Sequence, residues 1–168
     1  MKQIKLILLT GLLLTGSHIT LFAQQVLPEF VVLARNYKYL SSVDGDVGQP
    51  VRLLRQQAVS YDIKNSEIYQ EDYDTYSISF YLPGGYILAA YDSKGALIST
   101  AEKYKNVALP EAITTAVAER YPNWGIANDT YLVNYKDGRA TRILYKLVLQ
   151  NGDKRLRVKL NPNGDFLD

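Results

Sequence analysis

Six basic residues in the last third of the chain stand at alternating positions: Lys136, then Arg142 and Lys146, then Arg155, Arg157 and Lys159. If these stretches are extended, alternation puts all six on one face of a sheet, with Leu132, Asn134, Leu144 and Val148 between them. The equivalent positions of an earlier segment are Thr75, Ser77, Ser79, Tyr81, Tyr86, Leu88 and Ala90. A face with a Tyr-bearing half (Tyr81, Tyr86) and a basic half suits recognition better than bond making, because Tyr and Arg concentrate at binding hot spots. The plainer reading is a solvated surface, where Lys and Arg are common in any case.

Other residue types are more notable for where they are missing. The chain has no Cys, one His (His18) and one Met (Met1), both near its start. Downstream of that start, thiol catalysis, His relays and thiolate or imidazole metal sites have no residues to use. Glu67, Glu71, Asp72 and Asp74, with Tyr69 and Tyr73, have oxygen ligands a hard cation would accept, though the same spacing describes a solvated acidic strand edge. Asp44-Gly45-Asp46-Val47-Gly48 echoes a calcium loop, but Arg55 stands where the bidentate Glu belongs. Nothing marks a carboxylate pair for glycoside cleavage. Trp124, after Pro122-Asn123, reads as a residue packed under a helix end. No catalytic residue, metal ligand or cofactor is expected.

Residues 1–23 have Lys2 and Lys5 before an apolar run from Leu6 to Leu14, and end on Ala23, which together predict a signal peptide cleaved there and a periplasmic or secreted protein. The apolar run is too short and too interrupted for a span, so no membrane anchor is expected after cleavage. Of 19 basic residues two leave with the leader, so the remainder balances the 17 acids and a nucleic-acid partner is not expected. An exported chain without Cys has to rely on core packing.

Positioning the charged face falls to the surrounding elements. Phe30–Leu40 is rich in β-branched and aromatic residues and is expected to be extended, within an N-terminal segment 24–49. Pro50 opens a helix with Val51, Leu54, Ala58 and Tyr61 on one stripe, and Pro110 opens a second with Ile113, Val117 and Tyr121. Strands are expected at Thr75–Leu82, Tyr86–Tyr91, Ala96–Thr100, Thr130–Lys136, Thr141–Leu149, Lys154–Leu160 and Asp165–Leu167, with Gly-bearing turns between them. Sliding the chain by 69 residues lays Tyr76 on Tyr145, Ile78 on Leu147, Ile87 on Leu156, Tyr91 on Leu160 and Gly95 on Gly164. The predicted fold is α+β: two tandem α-β4 units, 50–108 and 109–168, sharing one antiparallel sheet with two helices on one face. Charge divides between them, with 4 basic and 8 acidic residues in 41–100 and 9 against 7 in 109–168.

Pro110-Glu111, Ile113, Ala116-Val117, Arg120-Tyr121-Pro122, then Tyr131-Val133-Tyr135, Tyr145-Leu147-Leu149 and Asn161-Gly164-Phe166 form a pattern that resembles the exported PepSY-like proteins, whose fold is like that of β-lactamase-inhibitor protein. The fit is good over 109–168 and looser over 50–104. The resemblance implies a non-enzymatic binding module that grips a protein or peptide partner with an open sheet face, by analogy with tandem-unit inhibitors, and inhibition of a periplasmic enzyme is the specific form of that expectation. It transfers no catalytic residue, because each matched position is a core, cap or turn residue. Chains sharing the Asn36–Leu40 opening and the Gln150–Arg155 hairpin are sometimes named nicotinate-nucleotide adenylyltransferase. That chemistry needs a paired-His motif and a Rossmann-type order, and neither is present. A structural or stress component of the cell envelope is the remaining alternative.

Overall fold

The computed structural model describes residues 36–167 apart from Asp44 and Asp46, so the leader, the Phe30–Arg35 part of the extended segment and the two carboxylates of the Asp44–Gly48 motif lie outside the described residues. Seven strands form one sheet: β1 (Thr75–Leu82), β2 (Gly85–Asp92), β3 (Leu97–Lys105), β4 (Gly125–Lys136), β5 (Arg142–Asn151), β6 (Lys154–Leu160) and β7 (Phe166–Leu167). Each pairs antiparallel with the next, in sequence order. Three α-helices are found among the described residues: α1 (Tyr37–Ser42), α2 (Gln49–Ser60) and α3 (Glu111–Arg120).

Helix and strand periodicities converge on one core. From α2 come Val51, Leu54, Ala58 and Val59, and from α3 Ile113 and Val117; they bury against Ile87, Ala89 and Tyr91 in the first half of the sheet and Val133, Leu147 and Leu149 in the second. These strand residues share one face, since Ala89 pairs with Thr100, Thr100 with Tyr135, and Leu149 with Leu156. The α+β class, the single antiparallel sheet and the helices on one face are as the sequence predicts.

The 69-residue repeat holds down to individual hydrogen bonds. Tyr76 pairs with Tyr91 and Ile78 with Ala89; their counterparts Tyr145 and Leu147 pair with Leu160 and Val158. In the following turns the Asp92 carboxylate accepts from the Lys94 and Ala96 amides, and the Asn161 side chain accepts from the Asn163 and Asp165 amides. Both are Asx turns, closed by a glycine with positive φ, Gly95 at 78° and Gly164 at 89°.

Two expectations change. Asn36–Leu40 is not extended: Tyr37–Ser42 is a helical turn and a half. Tertiary contacts override its β propensity. The Asn36 amide donates to the Val59 carbonyl and accepts from the Leu97 amide, and Tyr39 is 1% exposed. The first unit also has three strands rather than four. Between α2 and β1 the chain makes a single 3-10 turn at Ile63–Asn65, which drops Ile63 fully into the core where the second unit places β4.

Candidate functional site

Alternation puts the other strand residues on the opposite face, and the register lays them out in rows. One row runs Ser77, Ala90, Ser99, Lys136 and the next Ser79, Leu88, Ala101, Asn134, Arg142. The following row is Tyr81, Tyr86, Lys103, Leu132, Leu144, and beside it Lys105, Thr130, Lys146 and Lys159 stand side by side on four strands. Arg157 lies across from Val148 and Arg155 across from Gln150. All eight residues singled out from the sequence (Tyr81, Tyr86, Lys136, Arg142, Lys146, Arg155, Arg157 and Lys159) therefore share this face, opposite the helices. Tyr81 is 66% exposed, and its ring lies 6.0 Å from that of Tyr86.

Sequence reasoning missed Lys103 and Lys105, because it stops β3 at Thr100. The continuing alternation was obscured by Glu102, a carboxylate at a core position. With these two, eight strand positions on the face are basic. The one strand carboxylate of matching alternation, Asp92, is engaged in its turn. Among the described residues none of the eight cations is within ion-pair distance of a carboxylate.

Short side chains hollow out one end of the face. Ser77, Ser79, Ala90, Ser99 and Ala101 form the floor, and the β4–β5 hairpin contributes Lys136, Arg139 and Arg142 on one side; the space is about 670 Å³. Arg139, in the hairpin turn, is a lining residue that no strand pattern could assign. The hairpin is tied down from behind: Lys38 of α1 pairs with Asp137, which holds the Asp137 carboxyl below the ordinary carboxylate range and the Lys38 amine above its own, and the Asp137 amide donates to the Ile98 carbonyl.

The other concentration of ionisable groups is inside the core. The Arg55 guanidinium of α2 donates to Glu102, to the Val43 carbonyl and to the Tyr131 hydroxyl, while Tyr39, Tyr104 and Thr100 donate to the same carboxylate. Burial, then the Glu102 charge, pushes the Tyr39 and Tyr104 phenols far up. Arg55 and Glu102 are 4% and 3% exposed, so this network holds the fold together and meets no solvent-borne ligand.

The acidic group Glu67, Glu71, Asp72 and Asp74 lies exposed on the loop before β1. Among the described residues no three His, Asp or Glu gather as a metal site. Trp124 packs edge-on against Tyr121 at 6.5 Å beneath the end of α3. No helix among the described residues is long and apolar enough to cross a membrane.

No family model matches the chain, and no curated protein does. Among solved structures, a DUF2874 family protein from Bacteroides ovatus is similar at 14% identity, over 79% of each chain, with a TM-score of 0.35.

Proposed function

We propose that this chain is an exported, non-enzymatic binding module of the PepSY-like type, which holds a protein or peptide on the open face of its sheet. Inhibition of a periplasmic enzyme is the specific form of that role. One observation carries the reading: eight cations and the Tyr81–Tyr86 pair share a sheet face opposite the helices, with no carboxylate within ion-pair distance among the described residues. A solvated face normally intersperses both signs of charge, whereas a recognition surface concentrates one. The alternative as a nucleotidyltransferase has no observation in its favour, since the strands among the described residues form a meander without a βαβ crossover and the single His is His18.

Site-specific photo-crosslinking in the producing cell tests this reading. A photoreactive residue at Leu88 or Lys146 is expected to yield discrete adducts, and one at Glu119 on α3 is not. Arg155→Glu with Arg157→Glu is expected to abolish the adducts while leaving the circular dichroism unchanged. Adducts that persist in the double variant, or that form equally from α3, would overturn the docking face.

A further inference from the structure

We infer that the occupant of this face is an acidic polypeptide segment, with carboxylates seated in the hollow against Lys136, Arg139 and Arg142 and the chain continuing over Lys146 and Lys159. The inference rests on the docking reading above and adds the chemistry of the partner.

The first argument is charge. Lys146 stands directly opposite Lys159, with Arg157 one diagonal step away. Like charges directly across a strand pair are destabilising, and among the described residues no carboxylate relieves this pair. Acidic groups are abundant elsewhere, in the loop before β1 and on α3. The face is thus a one-sign surface on a chain whose other basic residues, 11 of 19, are outnumbered by its 17 acidic ones, and an anionic partner is its complement.

The second argument is shape. The hollow exists because the residues around Leu88 on the floor are Ser and Ala, while the neighbouring row has Tyr81 and Tyr86 and the hairpin has Lys and Arg. A volume of about 670 Å³ accepts several side chains of a polypeptide, and Ser77, Ser79 and Ser99 provide hydroxyls to a backbone laid over them. A bilayer surface is broad and would bridge the concavity, leaving the floor unused.

The test uses two labelled peptides, one alternating Glu and Ser and one alternating Gln and Ser, titrated with the whole chain by fluorescence anisotropy. The Glu peptide is expected to bind about tenfold more tightly than its Gln counterpart, and to weaken as salt rises. Arg142→Ser with Lys146→Ser is expected to remove most of that difference, and Lys64→Ser, exposed on the helix side, none of it. Equal binding of the two peptides, or no binding of either, would overturn the acidic occupant. Binding to phosphatidylglycerol vesicles with no preference for the Glu peptide would overturn it in favour of a lipid surface. If crosslinks form from Leu88 while the Glu peptide fails, the acidic occupant falls and the docking face stands; if neither works, both fall.

Discussion

Arg55 of α2 and Glu102 of β3 meet at 3.0 Å in the interior, each less than one-twentieth exposed. Each Glu102 oxygen accepts two hydrogen bonds: Oε1 from Tyr39 and Thr100, Oε2 from Arg55 and Tyr104. Through Tyr131 the guanidinium also reaches β4. One ion pair thereby joins α1, α2 and β3 to the first strand of the second unit.

Removing one member of this pair leaves the other charged in a dry interior. Arg55→Met is expected to cost about 3–5 kcal/mol of unfolding free energy in urea titration. Arg55→Met combined with Glu102→Gln is expected to cost less than the sum of the two single changes, because the stranded charge is gone. Additive costs would show that the pair acts as two independent packing residues.

Gly164 closes the Asx turn at φ 89°, and a Cβ there would stand 2.7 Å from the Ala112 carbonyl oxygen of α3. Gly152, at φ 56°, has open space around it. Gly152→Ala is expected to cost about 1 kcal/mol from backbone strain alone, whereas Gly164→Ala adds an overpacking cost of about 1–3 kcal/mol. The difference between their urea midpoints reads the tightness of the contact between that turn and α3.

Tyr39, Tyr91, Tyr104, Tyr131 and Tyr145 all hold their phenolic protons above the ordinary range, chiefly through burial. The unfolded chain releases those protons near pH 10 while the folded chain retains them. Their contribution is fully present below about pH 10, and stability falls as pH rises beyond it, by about 1.4 kcal/mol per pH unit for each phenol still protonated when folded. Phenolate absorbance is expected to show the exposed tyrosines titrating reversibly and the buried ones ionising only with unfolding. Full ionisation with circular dichroism unchanged would contradict the packing described.

Lys146→Glu places opposite charges across the β5–β6 pair. It is expected to raise stability by about 0.2–1 kcal/mol at low salt, with the gain shrinking as salt increases. The same substitution is expected to weaken binding of the Glu peptide. A variant no more stable than the parent would show that Lys146 and Lys159 do not repel.

Much of the fold was legible because it rests on local rules. Strict alternation in Thr75–Leu82 set β1 to the residue, and Pro50 and Pro110 marked the helix starts within a residue. The repeat was legible because Asp92 and Asn161 make the same turn from the same spacing. Alternation likewise assigned all eight candidate residues to one face, since which side a strand residue takes is a local property. Lys103 and Lys105 were lost where β3 was cut short at a core carboxylate, and Arg139 because a hairpin tip follows no period.

Sequence alone therefore determined the element types, the repeat, the absence of thiol and imidazole chemistry beyond the first residues, and the common face of the basic positions. Only the tertiary structure decided that Asn36–Ser42 coils instead of extending, that Glu102 is buried with Arg55, and that short side chains beside the hairpin leave a hollow. The physical reason is that the first set depends on neighbours along the chain, at spacings of two and of three to four residues. The second depends on groups such as Tyr39 and Glu102, separated by 63 residues, which acquire their environment only when the sheet and helices have closed around them.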